Sequence, residues 1–173
     1  MDIENLKYPI GKFNNDKTYS FAEIMDAKAV LAAFPEQLNN LCKDLSDSQL
    51  DTPYRPGGWT ARQVVHHIAD SHIHMYTRVK FAMTEENPTI KGYDEEIWAN
   101  LPDSKLAVHS SLLLIEGIHT RLVALLDTMT EVDFKRTFFH GGYNREYVLN
   151  KVIPLYGWHS SHHYEHIKIA AGL

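Results

Sequence analysis

The stretch WHSSHHYEHI, residues 158–167, decides how the fold of this chain is interpreted, because it holds four of the eleven histidines. In a helix each residue turns the side chain by about 100°. His159 and His163 then point the same way within about 40°, His166 returns to that face within about 20°, and His162 lies about 60° to the side. The pair at i and i+4 has the spacing with which one helix offers two imidazoles to one cation.

Four long segments of the chain carry helical signals. Apolar residues recur in them at three- and four-residue spacing, and the segments span about residues 20–45, 60–83, 104–129 and 146–171. Thr60 and Gln63 form a capping box, which predicts the start of the second helix. Gly172 predicts the end of the fourth helix. Pro35 is expected to kink or locally restart the first helix.

These four helices predict an all-α protein, a four-helix bundle with long connectors. Each helix has one apolar face, and such faces are buried by packing against one another. The two longer connectors suit crossovers better than tight turns. The connector FKRTFFHGGYNREY, residues 134–147, predicts a small hairpin that turns at Gly141 and Gly142. The length of 173 residues suits one domain, so residues 1–173 are interpreted as a single domain.

Composition argues against several classes of function. The formal net charge is −5 and the basic residues are scattered, unlike a nucleic-acid-binding or anionic-membrane surface. The single cysteine, Cys42, lies in an apolar run and is expected to be buried and not catalytic. One cysteine also favours a reducing compartment. No signal peptide and no membrane-spanning window are evident, so a cytoplasmic protein is expected.

A metal site needs a further ligand from another helix, and the second helix offers HHIADSHIH, residues 66–74. His67 lies beside the apolar stripe, whereas His66 is nearly opposite Val64 and is expected to face out. Asp70 follows His67 by three residues and could reach the same site as an acceptor. Two alternatives stay open at this point, a shared metal ion or a polar network without one. No direct function is expected for the remaining histidines, which are His72, His74, His109, His119, His140 and His162.

The chain resembles the DinB/YfiT-like superfamily, and within it the YfiT branch. The resemblance is carried by YPIGKF (8–13), LDTPYRPGGWTARQVVHHIADSH (50–72) and LYGWHSSHHYEHI (155–167), and it covers almost the whole chain. It implies a four-helix bundle that holds one divalent ion, zinc or nickel, through His67, His159 and His163. It also implies a homodimer. Members of the superfamily act as metal-dependent hydrolases or as thiol S-transferases that use thiols such as bacillithiol or mycothiol.

The same three ligands would serve either activity, because a cation held by neutral imidazoles lowers the pKa of a bound water and of a bound thiol alike. The choice must therefore depend on what else lines the site. Asp70 is expected to be a general base or an acceptor beside the ligands, and Gln63 a hydrogen-bonding partner of a ligand or water. Other candidates are Tyr54, Arg55, Trp59 and Trp158, although Arg55 is more simply a solvated loop residue and the tryptophans more simply packing residues.

The sequence therefore predicts an enzyme that acts on a small-molecule substrate. We predict transfer of a low-molecular-weight thiol to an electrophilic small molecule, ahead of hydrolysis of an ester or amide. A metal-binding module without turnover, and a structural bundle whose imidazoles form a polar network, are the alternatives. The sequence indicates no role for His166.

Overall fold

The structure, a computed structural model, describes residues 2–173. Its helices are α1 Ile3–Lys7, α2 Phe21–Cys42, α3 Asp47–Leu50, α4 Ala61–Thr84, α5 Glu95–Ala99, α6 His109–Leu126 and α7 Leu149–Ala171, and its strands are β1 Thr89–Ile90, β2 Thr137–His140 and β3 Arg145–Val148. Short 3₁₀ turns lie at Pro102–Lys105 and Asp133–Lys135. None of the helices within this range is both long enough and apolar enough to cross a membrane.

The predicted four-helix bundle is confirmed. Helices α2 and α4 each pack against both α6 and α7, so that α2 lies diagonally opposite α4. The predicted capping box is present, since Gln63 Oε1 accepts from the Thr60 N–H at 3.0 Å and Thr60 Oγ1 accepts from the Gln63 N–H at 3.2 Å. Gly172, with a φ of 74°, ends α7 as predicted, because glycine adopts this left-handed conformation without strain.

The predicted bounds of three helices need correction. Helix α2 ends at Cys42, before the expected residue 45, and it runs through Pro35 without the predicted restart. Helix α6 begins at His109 and not near residue 104, because the preceding segment forms the 3₁₀ turn Pro102–Lys105. Helix α7 begins at Leu149 and not near residue 146, because the residues before it pair with β2.

The predicted hairpin is also confirmed, and the connector between α4 and α6 adds a strand to it. Strands β2 and β3 pair antiparallel, with His140 opposite Arg145 across the turn. Strand β1 pairs parallel with β2, with Ile90 opposite His140. The sequence did not predict β1, which is only two residues long and carries no alternation to read.

A layer of histidines separates two apolar clusters in the bundle. One cluster contains Leu31, Met75, Leu122 and Ile153, and the other contains Phe34, Ile68, Ile115 and Ile167. On three of the helices that contribute residues to both clusters, histidines lie between the two sets of apolar residues. These histidines are His72 on α4, His119 on α6, and His159 and His163 on α7. The bundle therefore places imidazoles from three helices at one level.

The expectation that His66 faces out is wrong, because only 6% of its surface is exposed. Its Nδ1 lies 2.7 Å from Ser111 Oγ and its Nε2 lies 3.1 Å from the Leu106 carbonyl oxygen. Helix α6 and the segment before it cover the side of α4 that the helical wheel assigned to solvent. Both ring nitrogens of His66 are thus occupied away from the other histidines.

Candidate metal centre

Three histidines converge where α4 packs against α7. His67 comes from α4, and His159 and His163 come from one face of α7, as their spacing predicts. One nitrogen from each of the three rings lies within 4.8 Å of the others. The Nε2 atoms of His67 and His159 are 3.2 Å apart. This is the group of histidines that the resemblance indicated as ligands.

The geometry and protonation of this group fit a divalent ion. Two nitrogens bound to one tetrahedral zinc at ordinary bond lengths lie about 3.3 Å apart, close to the observed separation. Burial lowers the pKa of His67 to about 4 and that of His159 and His163 well below the ordinary value. The three imidazoles are therefore neutral at neutral pH, which is the form that binds metal.

A chain of hydrogen bonds sets the tautomer of His159. A carbonyl oxygen only accepts, so His119 Nδ1 donates to the Leu31 carbonyl oxygen, 2.6 Å away. Neutral His119 then accepts at Nε2 from His72 Nδ1 at 2.7 Å, and His72 accepts at Nε2 from His159 Nδ1 at 3.2 Å. His159 Nε2 is left with a lone pair, and this is the atom that faces His67.

The carbonyl at the start of this chain is free because of Pro35. Proline has no N–H, so it cannot donate to the carbonyl four residues earlier, which belongs to Leu31. His119 supplies the missing donor. The buried carbonyl is thus paired although α2 continues through Pro35. Pro35, which was expected to kink or locally restart α2, instead leaves free the Leu31 carbonyl oxygen that orients three histidines.

A second chain sets the tautomer of His163 in the same way. His166 Nε2 donates to the Lys7 carbonyl oxygen at 3.3 Å, so its Nδ1 accepts from His163 Nδ1 at 3.2 Å. His163 Nε2 is then free for a ligand bond. His162, His163 and His166 also lie close enough together to hold an ion. Both ring nitrogens of His166 are already engaged in this chain, which favours the group with His67 and His159.

Replacing His119 should weaken divalent-ion binding although His119 does not face the ion. His119→Leu leaves His72 without its acceptor, and we expect zinc affinity to fall about 10- to 100-fold, the usual effect of losing an outer hydrogen-bonding partner. His119→Gln should retain more affinity, because its amide oxygen can accept from His72. Competition with a chromophoric chelator measures both, and the exposed His109→Leu serves as control. Equal affinity in His119→Leu and the wild type would exclude this role.

A pocket of about 310 Å³ opens onto the three histidines. The aromatic rings of four tyrosines line it, namely Tyr93, Tyr143, Tyr147 and Tyr156. The lining also includes two charged side chains, Arg78 from α4 and Glu95 from α5. The pocket is large enough for a small molecule and is mainly aromatic, as ligand sites commonly are.

Gln63 and Asp70, the expected catalytic residues, do not line this pocket. Besides its part in the capping box, Gln63 donates from Nε2 to the Ala99 carbonyl oxygen at 2.9 Å. Both ends of its amide are therefore engaged, Oε1 at the start of α4 and Nε2 with α5. Asp70 lies on the side of α4 that faces Asp103, and its half-buried carboxyl makes no hydrogen bond to residues 2–173 by the usual distance criteria. The contacts of Gln63 are therefore structural, whereas the Asp70 carboxyl lies near the pocket residue Tyr93, whose phenol pKa is raised by burial and then by nearby charges that include Asp70.

Asp70 should lower the stability of the protein at neutral and higher pH. Burial, and then the nearby charge of Asp103, raise the pKa of Asp70 to about 6. The folded protein thus holds this proton more tightly than the unfolded chain, and the resulting stabilisation, complete below about pH 4, is lost as pH rises through about 6. We expect Asp70→Asn to raise the free energy of unfolding by about 1 kcal/mol at pH 8, after allowance for half exposure, and to change it little at pH 4. Urea unfolding at both pH values measures this, and an equal effect at both would contradict it.

The aromatic candidates pack on histidine rings. The Trp59 ring lies 4.7 Å from that of His67, and Tyr54 stacks on His166 at 3.9 Å. Trp158 stacks on His162 at 4.4 Å. Both tryptophans also line the pocket. Arg55 lies beside the second group of histidines, which consists of His162, His163 and His166. Its Nη1 donates to the Pro56 carbonyl oxygen at 3.2 Å.

Several residues that line the pocket were not predicted from the sequence. Arg78 follows His67 by eleven residues, which brings it back to the same face of the helix within about 20°, so the helical wheel could have indicated it. His140 and Tyr143 come from the hairpin, and Tyr93 and Glu95 come from the connector after α4. Only the unusual length of these connectors could have drawn attention to the last four.

Cys42 is buried, as expected. Burial raises the pKa of its thiol to about 12, so the thiolate form is negligible at neutral pH. It is the only cysteine in the sequence. A sulfur nucleophile, if the reaction uses one, must therefore come from a substrate.

Comparisons with known proteins agree with this architecture. A sequence profile of the DinB superfamily matches residues 31–167. The chain is 49% identical over 166 residues to a protein of Bacillus mycoides, and 47% identical over 168 residues to "Putative metal-dependent hydrolase YfiT" of Bacillus subtilis, covering 94–96% of each chain compared. A solved structure of YfiT from Bacillus subtilis, described as an unusual four-helix bundle, superposes with a TM-score of 0.92 at 45% identity and 97% coverage of both chains. The chain therefore belongs to the DinB superfamily, in the branch of the YfiT proteins.

Proposed function

We propose that this protein is a metal-dependent enzyme that transfers a low-molecular-weight thiol, of the bacillithiol type, to an electrophilic small molecule. We also propose that its cofactor is one divalent ion per chain, zinc or nickel, held by His67, His159 and His163. The observation that carries the proposal is the convergence of three neutral imidazoles beside a pocket. Two of them present free Nε2 atoms because their Nδ1 atoms are engaged elsewhere.

The ion would keep its full positive charge, because its three ligands are neutral. At an open coordination position it would favour the deprotonated form of a thiol or water. The chain's own residues hold and orient the ligands. Trp59 packs against His67, and the two hydrogen-bonded chains fix the rings of His159 and His163. The tyrosines would line the space in which the electrophile binds.

Cys42 does not serve as the nucleophile, so the nucleophile, a thiol or water, comes from outside the chain. The preference for sulfur rests on the resemblance to thiol-transferring members of the superfamily. In the proposed step a sulfur–carbon bond forms while the bond from carbon to the leaving group breaks. The leaving group departs with the bonding electron pair, and the thiol proton passes to solvent or to the leaving group.

Hydrolysis is the second candidate. It is favoured by the name of the Bacillus subtilis relative, "Putative metal-dependent hydrolase YfiT". In this reaction water would attack an ester or amide, and a base would help to remove its proton. Glu95 lines the pocket and can take this role. Partial burial, together with the charges of Asp94 and Glu96, raises the pKa of Glu95, which makes it a stronger base than an ordinary glutamate.

The two candidates differ in their dependence on thiol. Zinc- or nickel-loaded protein should consume thiol and electrophile in equal amounts, with a rate that saturates with thiol concentration. The control is His67→Ala, which should lose this activity. Turnover of an ester or amide without any thiol, together with no reaction of any thiol offered, would replace transfer by hydrolysis. Tight metal binding with neither activity would favour a binding module.

A further inference from the structure

Arg78 is a cation in the pocket that has only neutral partners. Its Nη1 donates to the Tyr156 hydroxyl at 3.1 Å, and its Nη2 lies 3.1 Å from His140 Nε2. Its Nε is buried and has no hydrogen-bonding partner. No ion pair of residues 2–173 includes Arg78. A guanidinium offers five N–H donors and stays charged at any physiological pH, so most of its capacity is unused.

His140 increases this surplus of donors. Its Nε2 faces the Arg78 guanidinium, while its Nδ1 faces the Tyr143 backbone N–H at 3.2 Å. A neutral imidazole carries one proton and accepts at one nitrogen only. One of these two donors is therefore left without an acceptor. The wall of the pocket around Arg78 offers more N–H groups than the protein can satisfy.

Such a surplus indicates a ligand with acceptor oxygens and a negative charge. A partly buried cation without a counter-charge is unfavourable, and an anion in the pocket would relieve this. Glu95 also lines the pocket, but none of the ion pairs among residues 2–173 joins it to Arg78. The planar fork of a guanidinium matches a carboxylate, which accepts two parallel hydrogen bonds from it. A phosphate site would favour a second arginine or a lysine, and the lining of this pocket contains neither.

We propose that Arg78, with Tyr156 and His140, forms a subsite for a carboxylate of the substrate. The subsite shares its pocket with His67, His159 and His163, so a substrate held there by its carboxylate extends its reacting end toward the histidines. The binding of a carboxylate does not depend on the proposed function. Only the statement that the ligand is a substrate rests on it. The substrate class that follows is a small carboxylic acid with an apolar or aromatic body, which suits the tyrosine-lined walls.

Binding of matched probes tests the subsite without any reaction. The full chain is titrated with hexanoate and with hexanamide, which differ in charge but little in shape, and Trp59 and Trp158 in the pocket report binding by fluorescence. The titration is done on the protein as purified and again after the metal is removed with a chelator, since a metal ion could itself bind a carboxylate. We expect hexanoate to bind at least about tenfold more tightly than hexanamide in both states.

Variants assign the preference to Arg78. Arg78→Gln should remove the preference for hexanoate, and Arg78→Lys should keep only part of it, because an ammonium lacks the fork. Arg121→Gln, an exposed arginine on α6, is the matched control and should bind like the wild type. Thermal unfolding checks that each variant is folded. No detectable hexanoate binding, equal binding of both probes, an unchanged preference in folded Arg78→Gln, or tighter binding of inorganic phosphate would overturn the proposal.

The outcome is separate from that of the proposed function. Hexanoate selectivity through Arg78 in a protein that transfers no thiol and hydrolyses no ester would support the subsite and reject the proposed enzyme. Conversely, thiol transfer in which acidic substrates and their amides react equally well would support the enzyme and overturn the subsite.

Discussion

His67→Ala will abolish stoichiometric binding of a divalent ion. The substitution removes one of three proposed ligands and leaves two imidazoles from a single helix, so we expect affinity to fall by more than about 100-fold, the upper end of the effect of losing an outer partner. His67 is the informative choice because it belongs only to the group with His159 and His163. Elemental analysis after dialysis and a chelator competition measure the loss.

The matched control is His162→Phe. His162 belongs only to the second group of histidines, its Nδ1 has no hydrogen-bonding partner, and its ring stacks on Trp158. Phenylalanine preserves the stacking and removes the nitrogens, so one ion per chain should remain bound. Full metal content in His67→Ala, with loss in His162→Phe, would transfer the site to the second group.

Metal-free protein will lose its stability between about pH 6.5 and pH 4. Burial lowers the pKa of His67, and that of His162 and His166, to about 4. These groups bind protons more tightly in the unfolded chain, whose histidines have a pKa of about 6.5, so stability is present above that value and is lost as pH falls. For His67 alone the difference corresponds to roughly 3 kcal/mol. Several such groups together match the total stability of an ordinary domain, about 5–15 kcal/mol.

Circular dichroism at helical wavelengths, recorded with a chelator present, should give an acid unfolding midpoint near pH 5. His162→Phe should move this midpoint to lower pH, because one imidazole that must be protonated on unfolding is gone. The exposed His109→Ala should leave it unchanged. A helical signal and a melting temperature that stay constant from pH 7.5 to pH 4 would refute the prediction.

The four long helices could be predicted from sequence because their signals are local. Apolar spacing, the capping box at Thr60 and the stop at Gly172 each depend on residues that are neighbours in the chain. The i, i+4 pair His159 and His163 shares a face for the same reason. The choice of His67 over His66 is different, since the wheel gave only a preference and the resemblance decided it.

What the sequence could not predict depends on contacts between helices. His72 and His119 were assigned no direct function, because nothing in their own helices indicates that they stack in one chain leading to His159. Pro35 signals a helix break unless a donor from another helix reaches the Leu31 carbonyl. Gln63 was an attractive partner for a ligand by spacing, but its amide is already engaged by the helix start and by Ala99.

Three further expectations stay predictions. The homodimer and the cytoplasmic location rest on the resemblance and on composition, and the identity of the metal rests on the resemblance alone. Size-exclusion chromatography with light scattering measures the first directly. The three proposed ligands come from a single chain, so the proposed ion site does not require a second copy.

A crystal structure of the zinc-loaded protein, with anomalous data recorded at the zinc edge, tests the central claim most directly. The account predicts one anomalous peak per chain, about 2.0–2.1 Å from a nitrogen of His67, His159 and His163, with at least one further position held by water or another small molecule. It is contradicted by a peak among His162, His163 and His166. A fourth protein ligand that closes the coordination shell would equally contradict it, since the site would then be structural.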